Sequence, residues 1–131
     1  MKPNGLLQAE LTGLLAALGH TQTIVIADAG LPVPRGVRVI DLAVTAGTPS
    51  FLAVLRAVLP ECVFEGCTLA EEIKTRNPAL LEALYEATGP LPVRFVPHEA
   101  LKKLSGDSVC IVRTGETTPY ANILLTGGVN F

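Results

Sequence analysis

The run TIVIA, residues 23–27, is β-branched at four of its five positions and presents no polar face beyond its first threonine. A strand of that kind has to be covered on both sides, which is the situation inside a mostly parallel sheet with helices packed against it. Ionisable residues stand at both ends of this buried stretch. His20 closes the preceding segment LLAALGH, and Asp28 opens DAGLPVP. The loop GLPVPRG, with two prolines and two glycines, suits a fixed irregular turn and neither regular structure.

The rest of the chain repeats the alternation. Leu7, Leu11, Leu14, Leu15 and Leu18 recur at spacings of three and four, which predicts a helix over Leu6–Leu18 ended by Gly19. A second strand is expected over Val37–Asp41. Thr48 as N-cap, with Pro49 at the first helical position, then starts the helix SFLAVLRAVL. A strand over Val63–Thr68 leads into a helical turn or two over Leu69–Arg76, stopped by Asn77 and Pro78. Pro78 restarts a helix to about Ala87. Val93–Val96 reads as a strand, HEALKKL as a helix opened by Pro97, and SVCIVRT and NILLTGGV as two further strands. Strands alternating with helices predict an α/β fold, a single compact domain over residues 1–131 with a mostly parallel sheet and flanking helices.

At 131 residues such a domain can bury a core that stands without disulfides or a metal. Apolar residues make up 49% of it and charged ones only 17%, so some apolar surface is expected to meet another copy of the chain. The net charge of −2 is scattered, which leaves no footprint for nucleic acid or an anionic membrane. Gln8 and Glu10 interrupt the leucine-rich start, so it reads as a helix and not a signal peptide, and no apolar run reaches the roughly 20 residues of a membrane span. A cytoplasmic location is the expectation. Three cysteines, Cys62, Cys67 and Cys110, form no disulfide framework or zinc spacing and are expected to be small buried hydrophobes.

Sites in open α/β sheets gather beyond the carboxyl ends of the strands, where Asp28 lies, although an aspartate in a DAG corner is by itself more often a cap or turn former. His20 beside a helix end is by itself commonly a cap, yet histidine is the side chain whose ordinary pKa suits proton transfer near neutral pH. His98 and Lys102 share one face of the HEALKK helix; lysine at that position breaks the zinc-protease pattern H-E-x-x-H, so a metalloprotease is not expected. Tyr120 and Asn122, in TGETTPYANILL, would point the same way if the chain there is extended, offering a hydroxyl and an amide. Glu116 reads equally well as a solvated loop acid. Nucleophile elbows and phosphate-binding glycine loops are missing from the sequence. The remaining groups suit a neutral polyhydroxylated ligand.

Together, LGHTQTIVIADAGLPVP, IDLAVTAGTPSF, AEEIKTRNP, the HEALK segment and RTGETTPYANILLTGGVNF resemble the ribose pyranase and fucose mutarotase family over essentially the whole chain. The resemblance implies interconversion of the pyranose and furanose forms of D-ribose without cofactor or metal. It places the proton donor on His20 and substrate binding on Asp28, His98, Lys102, Tyr120, Ala121 and Asn122. It also implies a ring-based homo-oligomer, a decamer or octamer, with the site between adjacent subunits. On this view His20 and Asp28 flank a buried strand because the strand holds both against one shared pocket. DAGLP and Ala121 favour ribose, since the fucose branch resembles D-A-H-F-P and carries Gly in the tripeptide. A non-catalytic sugar-binding accessory protein of ribose uptake is the reading from another class. His20 separates the two, because a binding module can lose its proton donor and keep its affinity.

Overall fold

The computed structural model describes residues 1–131. In chain order its elements are α1 (Ala9–Ala17), β1 (Thr23–Ala27), β2 (Val39–Asp41), α2 (Phe51–Val58), β3 (Phe64–Ala70), α3 (Ile73–Arg76), α4 (Pro78–Thr88), β4 (Val93–Val96), α5 (His98–Ser105), β5 (Cys110–Arg113) and β6 (Ile123–Gly127). One sheet of six strands runs in the order β2-β5-β1-β6-β3-β4. Five strands point the same way and β6 alone opposes them, so the mostly parallel sheet is borne out.

TIVIA forms β1 at the expected residues. Its side chains alternate between the two faces of the sheet, as the period of two requires. Ile24 and Ile26 join the larger core, with Leu11, Phe51, Leu55 and Leu84 from α1, α2 and α4. Val25 and Ala27 join the smaller core with Leu101 of α5. Both faces are therefore covered, which is why no polar position was tolerated after the threonine.

Three local expectations are corrected. Helix α1 begins at Ala9 and not at Leu6, because the Gln8 side chain accepts the Leu11 N–H and closes the first turn there. Ser50, not Thr48, caps α2, its Oγ accepting the Ala53 N–H at 3.2 Å. Thr48 instead pairs with Thr45 across a tight loop. Finally, the strand begun in SVCIVRT covers only Cys110–Arg113, since Thr114 turns its hydroxyl back to the Ala27 carbonyl at 2.8 Å.

All three cysteines are free thiols, with Cys67 and Cys110 buried and Cys62 partly so. Burial pushes the Cys67 thiol up to about 11, and Cys110 and Cys62 rise for the same reason. A thiol that stays protonated in the folded chain while the unfolded chain ionises it stabilises fully below pH 9.0, and this is lost as pH rises towards about 11. Thermal melts across that window are expected to show a falling midpoint. In Cys67→Ala, lower at every pH because of the cavity, the fall should be shallower; an equally steep fall would remove Cys67 as a cause.

Candidate active site

The antiparallel pairing of β1 with β6 sets Ile26 opposite Ile123 and so brings Asn122, just before β6, beside Asp28, just after β1. The two residues bond reciprocally. The Asp28 N–H donates to Asn122 Oδ1 at 2.9 Å, and Asn122 Nδ2 donates to Asp28 Oδ2 at 2.9 Å. Asp28 Oδ1 accepts the Gly30 N–H at 2.9 Å, the turn contact its DAG corner suggested. Asn122 is fully buried, and its amide holds the backbone and the carboxylate of Asp28 at once.

Next along the same rim, β4 ends in Val96 and α5 starts at His98. The His98 N–H donates to Glu72 Oε2 at 2.8 Å, a carboxylate at a helix N-terminus where the dipole favours it. The His98 ring meets Tyr120 edge to face, centroids 5.1 Å apart and planes at 85°. His98 Nδ1 is buried without a hydrogen-bond partner, a polar atom whose bonding capacity is left unused within the chain. Lys102 lies one turn further along α5 and pairs with Glu99 at 2.6 Å; that hydrogen bond holds the Glu99 carboxyl below its usual range.

Tyr120 is not extended, contrary to the expectation for YAN. Its φ of 58° is left-handed, so the tyrosine turns towards His98 while Ala121 and Asn122 are fully buried. The three residues reach the rim through a turn and not through strand alternation.

Glu116 is no solvated loop acid. Its Oε2 accepts the Phe51 N–H at 3.1 Å, its Oε1 accepts the Thr118 N–H and hydroxyl, and its carbonyl accepts the Ala29 N–H at 2.8 Å. It thus ties the DAG loop, the start of α2 and the approach to Tyr120. Glu116→Ala would strip three donors of their acceptor at once. A drop of ~1–3 kcal/mol in unfolding free energy is expected, measured by denaturant titration, with Glu116→Gln recovering part of it. No difference between the two variants would contradict this role.

His20 is elsewhere. It sits before β1, at the opposite rim of the sheet, where its Nε2 lies 2.9 Å from Glu65 Oε2 at the start of β3. At about 3.3 Å per residue, β1 separates its own ends by ~13 Å, and His20 and Asp28 lie beyond those ends. Within one chain the two do not share a pocket, because the strand between them holds them apart. A cleft of about 470 Å³ beside His20 is lined by Leu18, Cys62, Val63, Val129 and Phe131, of which Phe131 is almost wholly exposed.

The structure therefore gathers Asp28, His98, Lys102, Tyr120, Ala121 and Asn122 at one rim and leaves His20 at the other. A carboxylate, an amide, a phenol, an imidazole and an ammonium group offer donors and acceptors suited to adjacent hydroxyls. Glu65, Glu72, Asn77 and Glu116 were not singled out as site residues in the sequence; Glu72, Asn77 and Glu116 lie in family-like segments that could have marked them, and Glu65 lies in none.

Comparison with known proteins agrees along the whole chain. A family model described as the RbsD / FucU transport protein family matches residues 1–130. The D-ribose pyranase of Geobacillus thermodenitrificans (strain NG80-2) is 53% identical over 131 residues, covering 100% of this chain and 99% of that one. The structure of Bacillus subtilis RbsD complexed with D-ribose superposes with a TM-score of 0.96 at 43% identity, each chain covered in full. The fucose mutarotase of Streptococcus pneumoniae, solved with L-fucose, shares the fold with a TM-score of 0.78 at 22% identity, covering 95% of this chain and 94% of that one.

Proposed function

The chain belongs to the RbsD / FucU transport protein family, and from that premise we propose that it interconverts the pyranose and furanose forms of D-ribose. It is an isomerase of the D-ribose pyranase kind. The observation that carries the reading is the Asp28–Asn122 pair: a carboxylate held on one oxygen by a buried amide and on the other by the Gly30 N–H, at the rim that also carries an imidazole and a phenol, in a chain 53% identical to a D-ribose pyranase. The working unit is one ribose pyranase-like domain over residues 1–131, and it acts in the cytoplasm.

Ring opening takes the proton from the anomeric hydroxyl, breaks the bond from the anomeric carbon to the ring oxygen, and returns a proton to that oxygen, leaving an aldehyde. Reclosure through the neighbouring hydroxyl reverses the transfers and gives the five-membered ring. His20 donates the proton to the departing ring oxygen. Asp28 and Asn122, with His98, Lys102 and Tyr120, hold the sugar hydroxyls, and the Ala121 backbone completes the binding turn.

Because His20 and Asp28 stand at opposite rims of one chain, the site is completed by a second copy: His20 of one subunit faces the Asp28 rim of its neighbour. A ring-based homo-oligomer satisfies this, since a head-to-tail contact brings two different surfaces together at every interface. Exposed Val63 and Phe131 beside His20 supply apolar area for such a contact.

Proton NMR exchange between pyranose and furanose signals tests the activity. Accelerated exchange of D-ribose, exceeding that of L-fucose at equal concentration, is expected. A folded chain that binds ribose without accelerating exchange would leave the non-catalytic sugar-binding reading instead.

A further inference from the structure

We infer that AEEIKTRNP, residues 70–78, is a brace in which Glu72 and Asn77 act as positioning residues, fixing His98 and Tyr120 against each other. The inference rests on the reading of that rim as the sugar site.

Both residues occupy helix-capping positions and neither caps its helix. Glu72 is the N-cap of α3 and Asn77 the N-cap of α4, yet no side-chain hydrogen bond closes either first turn. Asparagine is among the best N-caps, so its absence from that role means the amide is engaged elsewhere. Asn77 Nδ2 donates to the Pro119 carbonyl at 2.9 Å and to Thr118 Oγ1 at 3.2 Å, 42 and 41 positions along the chain. Glu72 Oε2 takes the His98 N–H at 2.8 Å. Each end of the segment therefore holds a different loop of the site.

Between those ends Ile73 is fully buried, which pins the short helix to the core and makes the spacing of the two anchors rigid. The anchors converge where the His98 ring meets Tyr120 at 5.1 Å. Tyr120 has a φ of 58°, a conformation that costs a bulky residue free energy and persists only where its surroundings over-determine it. Asn77 grips the chain at the residue just before it. Without that grip the turn can relax to ordinary backbone, and the tyrosine leaves the imidazole.

The test compares wild type with Asn77→Ala, Asn77→Asp, Glu72→Gln and, as a control on the same segment, Glu71→Gln, whose only ion pair is a surface contact to Lys74 at 4.0 Å. Asn77→Asp keeps the size and loses the donor, so it serves if Asn77→Ala does not fold. In the assembled protein two readouts are taken: the His98 and Tyr120 ring resonances by NMR, and KM and kcat for ribose ring exchange. The brace predicts that both ring signals shift in the Asn77 variants and that KM rises about tenfold with a smaller change in kcat. Glu72→Gln, which keeps an acceptor, should fall between these and wild type, and Glu71→Gln should match wild type. Unmoved ring signals in a folded Asn77 variant would overturn the brace, whether or not the wild type turns over ribose. Moved signals with an inactive wild type would leave the brace standing and sink the sugar reading alone.

Discussion

His20→Ala is expected to fold and assemble like the wild type and to lose about 10²- to 10⁴-fold of the catalysed ribose exchange, falling back towards the rate in water. The fold should tolerate the change because the side chain is 52% exposed and its one polar contact is the Glu65 pair. An exposed pair of that kind contributes ~0–1 kcal/mol. The loss should therefore appear in kcat, with ribose affinity little altered, since the sugar hydroxyls are held from the other rim. Glu65→Gln, which keeps the shape but weakens the hold on Nε2, should show a smaller loss of the same kind. A His20→Ala enzyme within twofold of wild type would remove this histidine from the chemistry.

Asn122→Ala is expected to abolish measurable ribose binding and to lower stability. The substitution, at a fully buried position, leaves the half-buried Asp28 N–H without its acceptor and Asp28 Oδ2 without a donor, and each unpaired group costs up to ~1–3 kcal/mol. Asn122→Asp offers a sharper version, because it keeps the acceptor but sets a second carboxylate against Asp28. Two carboxylates that close cannot both ionise easily, so affinity in that variant should recover as pH falls. Calorimetric titration of ribose at several pH values reads this directly. Affinity that is flat with pH in Asn122→Asp would mean that the Asp28 carboxylate is not what grips the sugar.

How far the sequence carries these expectations depends on what kind of information each needs. TIVIA is legible because full burial leaves its mark on every position, and Val93–Val96 likewise forms a strand at the residues expected. Direction leaves no such mark. NILLTGGV reads like any other buried strand, and only the sheet shows that β6 runs against its neighbours and so delivers Asn122 to Asp28. The left-handed turn at Tyr120 was hidden because tyrosine, unlike glycine, carries no signal for it. Glu116 leaves two readings open for a related reason: an acid in a loop looks solvated until the backbone donors of Phe51 and Thr118 close around it. His20 and Asp28, eight positions apart, suggested one pocket, and the rise of the strand between them forbids it within one chain.

That division between rims makes mixed assemblies the most direct test. His20→Ala and Asn122→Ala chains, each inactive alone, would be co-expressed at equal levels, their mixing verified by mass spectrometry of the intact assembly, and ribose exchange measured by NMR. If each site joins the His20 rim of one subunit to the Asp28 rim of another, random mixing restores about a quarter of the sites, because both contributed rims are then intact. Activity near that fraction of wild type is the result predicted here. Mixed assemblies as inactive as their parents would contradict it.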